Sequence, residues 1–104
     1  MDAARPALQI PAVSKIRDSS VRDKVAAAIR HHRKLSGQSQ EKVAHRARID
    51  RSFYGRIERG TQNLALETLC LIALALEIHP SELLRDIESS DLLELKGSRV
   101  GPLG

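Results

Sequence analysis

Two helix starts lie eleven residues apart near the middle of this chain, and the segment between them must hold one short helix and one tight turn. Ser39 precedes Gln40-Glu41-Lys42-Val43-Ala44, and Asp50 precedes Arg51-Ser52-Phe53-Tyr54. Ser and Asp in such places accept hydrogen bonds from the first unsatisfied backbone N–H groups of a helix. Glu41 adds a negative charge in a first turn, where the helix dipole favours it. Gly37 before the pair and Gly60 after it suit the left-handed positions that close helices.

Helical signals continue on both sides. Ser20 is followed three residues later by Asp23, and Val21, Val25, Ala28, Ile29 and His32 recur at helical spacing. Leu69, Ile72, Ala73 and Leu76 define a fourth helix, apolar nearly all round from Leu69 to Leu76, which predicts a place at the centre of the domain. Pro80 suits the first turn of a fifth helix with Leu83, Leu84 and Ile87 on its buried side. Asp91–Lys96 extends or follows that helix, and Gly97–Gly104 reads as a frayed end. Nothing alternates with the period of a strand. The expectation is an all-α fold, a five-helix bundle over residues 20–88, with a flexible arm at 1–19 and an extension at 89–104. At 104 residues, the chain holds one core of this kind.

Composition excludes several function classes. A single Cys, Cys70, forms neither a disulfide framework nor a Cys-based zinc cluster, and its apolar surroundings mark it as inert core. His31, His32, His45 and His79 form no i, i+4 pair with a carboxylate partner, so no metal site is expected. No Ser/His/Asp arrangement or glycine-rich phosphate loop is present; neither catalysis nor a cofactor is expected. No apolar run reaches the roughly 20 residues of a membrane helix and no secretory signal is read at the start, so a cytoplasmic location is the expectation. Phe53 and Tyr54 are the only Phe, Trp or Tyr residues, too few for a single-strand stacking platform.

Charge is distributed unevenly. Residues 14–62 carry 13 basic and 5 acidic side chains, a balance of +8, whereas residues 63–104 carry 3 and 7, a balance of −4. The middle of the chain can attract a polyanion. The same stretch contains the two closely spaced helices, separated only by Ala47 to Asp50, which is the spacing of a helix-turn-helix whose second helix can enter a DNA major groove. Ala44 is small where the next helix packs close. Arg48 stands in the turn where Gly would adopt a left-handed conformation more easily. On the third helix Ser52, Gly55, Arg56 and Arg59 share one polar face, while Tyr54, Ile57 and Glu58 point towards the other helices. Arg51 stands at the N-terminal end, the part that reaches base edges in this motif, and Arg can donate two hydrogen bonds to guanine. Gly55 serves either close approach to DNA or packing beside another helix.

Ser39-Gln40-Glu41-Lys42-Val43-Ala44, Asp50-Arg51-Ser52-Phe53-Tyr54-Gly55-Arg56-Ile57-Glu58-Arg59-Gly60, Asn63 and Leu66-Glu67-Thr68-Leu69 together resemble the XRE/Cro/cI-type helix-turn-helix family from about Val25 to Leu84. Around Asp50–Asn63 the chain also looks like the controller proteins of restriction–modification systems. The resemblance implies a five-helix fold and a transcription regulator, such as a repressor, that binds double-stranded operator DNA as a homodimer. It places Arg51, Ser52, Phe53, Gly55 and Arg56 against bases. It places Ser39, Gln40, Arg59, Thr61 and Asn63 against the phosphate backbone. It also implies an ion pair between Arg33 and Glu58. Departures from the family pattern are His32 and Gln38 at apolar positions, Arg48 in the turn, and Ala65 where a helix cap is usual.

Leu83, Leu84, Ile87, Leu92, Leu93 and Leu95 exceed the needs of a small core. Leu83, Leu84, Ile87 and Leu92 are the expected dimer seam, because two-fold DNA sites call for a two-fold protein. The alternative is an antitoxin or other module whose Leu-rich C-terminal segment binds a partner protein, with DNA binding serving autoregulation.

Overall fold

The computed structural model describes residues 20–98; the arm expected at 1–19 and the last six residues of the chain lie outside this range. The described residues form six helices and no strand: α1 (Ser20–Ser36), α2 (Gln40–Arg46), α3 (Arg51–Glu58), α4 (Leu66–Leu76), α5 (Ser81–Leu84) and α6 (Ser89–Ser98). The sixth is an addition to the expected five. Residues 89–98 form a helix of their own, separated from a fifth helix that lasts only four residues.

The capping chemistry explains the boundaries. Ser39 holds an extended backbone and its Oγ accepts from the Lys42 N–H at 3.0 Å. Asp50 Oδ2 accepts from the N–H groups of Ser52 at 3.1 Å and Phe53 at 3.2 Å. Caps of this kind contribute about 1 kcal/mol each. Gly37 and Gly60 take φ of +75° and +78°, where a side chain is strained. Arg48 takes φ of +61° in the turn between α2 and α3, so the tight connection there is made without glycine. Pro80 stands just outside α5, at its cap, and Ala65 starts α4 with no side-chain bond.

The helix at the centre is α1, not α4. α1 packs against α3, α4, α5 and α6. Its buried residues Val25, Ala26, Ala28 and Ile29 occupy adjoining faces, and the two alanines let neighbours come close. The core joins these to Val43, Ala44, Ala47, Tyr54, Ile57, Leu69, Ile72 and Leu76, with Leu83 sealing one end. α4 buries one side against α1 and α2 and leaves the other bare: Leu66 is 70%, Leu71 41% and Leu74 71% exposed. Cys70 lies on the bare side, so it is exposed rather than core. Apolar residues all round a helix predict full burial, but α1 and α2 can cover only one side of α4.

α6 folds back along the first half of α1. Lys24 Nζ meets Asp91 Oδ2 at 2.7 Å, the Glu88 N–H donates to the same oxygen at 2.8 Å, and Ser20 Oγ donates to Glu94 Oε1 at 2.7 Å. The hydrogen bond from Lys24, then that from the Glu88 backbone, hold the Asp91 carboxyl down at about 2.

Candidate nucleic-acid interface

The second helix of the helix-turn-helix has a fixed back and an open front. At its back Glu58, 2% exposed, accepts four hydrogen bonds. Arg33 of α1 donates from Nε at 2.6 Å and from Nη2 at 3.1 Å, Tyr54 Oη donates at 2.6 Å, and Gln40 Nε2 of α2 donates at 2.8 Å. Three helices therefore meet at one carboxylate. Burial pushes the Glu58 carboxyl up, but the hydrogen bonds from Arg33, Tyr54 and Gln40 outweigh it and hold the group below the usual carboxylate range. Burial, and then the bond to Glu58, push the Tyr54 phenol well up; the same carboxylate raises Arg33. Arg30 adds a contact the sequence does not announce: its Nη1 donates to the Glu58 carbonyl, placing a cation at the C-terminal end of α3.

The remaining turns are tied in the same way. Gln38, polar at a position the family keeps apolar, is fully engaged. Its Nε2 donates to the Ala75 carbonyl at 3.2 Å, its Oε1 accepts from Arg46 at 3.0 Å, and its carbonyl accepts from Arg33 at 3.1 Å. It joins the α1–α2 turn to the end of α4, which explains why an amide stands there.

The front of α3 presents Arg51, Ser52, Arg56 and Arg59, all exposed. Phe53 is half-buried against the core edge, and the Arg56 guanidinium lies over its ring at 5.7 Å. Ser52 Oγ donates to Asp50 Oδ2 at 2.6 Å, so its hydroxyl proton is used and its lone pairs face outward. The Ser52 hydroxyl, followed by the Phe53 N–H, keeps Asp50 below its ordinary range and therefore charged. Beyond α3, Thr61 Oγ1 donates to the Arg56 carbonyl at 3.1 Å, and exposed Asn63 meets Arg22 of α1 at 3.5 Å. An open groove between the starts of α2 and α3 is lined by Ser39, Lys42, His45, Ile49 and Arg51.

Three expected site residues sit differently. Gly55 is buried on the face expected to be open: Arg59, one turn later, folds over it, with Nη1 3.5 Å from where a Cβ would stand. Gln40 spends one of its two amide N–H bonds on Glu58 instead of projecting freely. Leu83 is 1% exposed inside its own core and Ile87 is half-buried beside it, so Leu83 cannot serve a dimer seam; Leu84 and Leu92 are exposed. Among the described residues, no group of three or more His, Cys, Asp or Glu could hold a metal ion, and no helix is long and apolar enough to cross a membrane.

A helix-turn-helix family model matches residues 29–83, more than half of the chain. The chain belongs to this family. The chain is 41% identical over 49 residues to the control protein C.BamHI of Bacillus amyloliquefaciens, a match covering 47% of this chain and 60% of that relative's length. Among solved structures, it is similar to the restriction–modification controller protein C.AhdI of Aeromonas hydrophila. That match has a TM-score of 0.58 at 39% identity over 60% of this chain and 94% of the other. It is also similar to the controller protein C.Esp1396I, solved as a tetramer in complex with its natural 35 base-pair operator, with a TM-score of 0.61 at 28% identity over 76% and 99%.

Proposed function

We propose that this helix-turn-helix protein is a sequence-specific regulator of transcription that binds double-stranded operator DNA as a homodimer, with α3 in the major groove. The observation that carries the reading is the division of α3. Glu58 fixes its back to α1 and α2, while Arg51, Ser52, Arg56 and Arg59 are exposed on its front. The +8 balance of residues 14–62 and the operator complex of C.Esp1396I support it. In this reading two copies of α3 enter successive grooves about 34–36 Å apart on a palindromic site. Arg51, Ser52 and Arg56 read bases, with Phe53 beside them. Ser39, Arg59, Thr61 and Asn63 hold phosphates, with Gln40 contributing through its second N–H. The protein works in the cytoplasm without catalysing a reaction, and residues 20–88 form the DNA-binding unit.

The test is selection of bound sequences from random duplexes at controlled salt. The expected result is an enriched palindrome whose half-site spacing is close to one helical turn, with affinity falling steeply as salt rises. No enriched motif at any salt concentration would overturn the reading.

A further inference from the structure

The bare side of α4 is unusual for a small folded chain. Leu66, Cys70 and Leu74 recur at i, i+4, i+8 and so form one ridge, flanked by Leu71, all of them exposed. A helix that is apolar all round belongs in an interior, and a contiguous exposed apolar patch marks a contact surface. The ridge reads the same in both directions about Cys70. A two-fold interface pairs residue i with j and j with i. Antiparallel packing of α4 on its own copy, centred on Cys70, pairs Leu66 with the partner's Leu74 and sets the two Cys70 side chains face to face. The charges allow it: Glu67 is the one charged residue between Leu66 and Leu76, and in this register it faces position 73, not its own copy. The exposed Leu92 and Leu93 of α6 lack this advantage, since they are neighbours in sequence about 100° apart around the helix and form no ridge at helical spacing.

We propose that a second copy of this chain seats on the Leu66–Cys70–Leu74 ridge. The proposal rests on the homodimer reading above and moves the seam from α5 and α6 to α4. Residues 59–65 alone separate the end of α3 from Leu66, so a joint at this ridge sets the spacing of the two recognition helices closely.

Sedimentation velocity on the full chain across a concentration series tests the seat, together with cross-linking by a short bis-maleimide. Helix axes about 8–10 Å apart bring facing Cys70 thiols within reach of such a linker. Wild type is expected to be a dimer that cross-links through Cys70, and Cys70→Ser to lose the cross-link. Leu74→Glu is expected to raise the dimer dissociation constant at least 100-fold with an unchanged far-UV circular dichroism spectrum. Leu92→Glu combined with Leu93→Glu is expected to shift it less than threefold. A wild-type dimer that does not cross-link and survives Leu74→Glu would overturn the seat and leave the homodimer reading standing. Dissociation by the α6 pair alone would do the same. A wild type that stays monomeric at all concentrations and on selected DNA would overturn the homodimer reading itself.

Discussion

Replacing Arg33 with Met tests how α3 is held. The substitution keeps most of the apolar stem and removes two of the four donors on Glu58. The Glu58 side chain is 1% exposed and that of Arg33 15%, so solvent screens little of what is lost. Removing one partner of a buried pair costs about 3–5 kcal/mol. Tyr54 and Gln40 still donate to the carboxylate, which places the loss near the lower end, about 3 kcal/mol. A body of roughly 80 residues has a total stability of about 4–12 kcal/mol. The melting temperature is therefore expected to fall by roughly 12–24 °C.

The pH dependence separates an electrostatic origin from lost packing. In the wild type Glu58 is held low, so its contribution is present above the unfolded value of about 4.3 and is lost as pH falls below it. In Arg33→Met burial is less opposed, the carboxyl rises above its unfolded value, and protonation relieves the penalty as pH falls. The deficit relative to wild type should be largest near pH 7 and shrink towards pH 4. Urea unfolding followed by circular dichroism at several pH values measures it. Arg33→Met combined with Glu58→Gln buries no charge and should recover a large part of the loss. A deficit under about 1 kcal/mol that is flat with pH, or a double variant no more stable than the single one, would refute this account of Glu58.

Three further outcomes are expected. Arg51→Ala should weaken operator binding by roughly 1–3 kcal/mol and relax one base position, whereas Arg59→Ala should weaken all sequences alike and lower the salt slope by about 1, as read by titrations on operator and random duplexes. Gly37→Ala should cost about 1–2 kcal/mol from its left-handed backbone alone, and Gly60→Ala somewhat more, since its Cβ would stand 2.9 Å from Asp23 Oδ1 and the carboxylate must turn away; thermal melts decide the order. Asp91→Asn should destabilise at neutral pH by an amount that stays constant down to about pH 4 and vanishes towards pH 2, because the depressed carboxyl contributes only while ionised.

The helix-turn-helix was legible because its information is local. Ser39, Asp50 and Gly60 announce themselves within one turn of the backbone they cap. The inward and outward faces of α3 follow from the helical period, apart from Gly55, where a neighbouring arginine covers a position that periodicity leaves open. The long-range ties were not legible. Nothing near Lys24 points to Asp91, and nothing near Arg30 points to the Glu58 carbonyl, since sequence order carries no record of which helices lie side by side. The position of α4 does not follow from its apolarity for a related reason: apolarity shows that a surface favours being covered, not whether the cover is this chain or another.

Arg51, Ser52 and Arg56 face outward from the same eight-residue helix whose Tyr54 and Glu58 face inward, and apart from the tie of Ser52 to the Asp50 cap none of the three takes part in the buried cluster. Under the proposed function, what the chain reads and what lets it fold are thus stored in different letters of one short word. A duplicated copy could acquire a new target by exchanging those three side chains, with the scaffold still maintained by its own, separate selection.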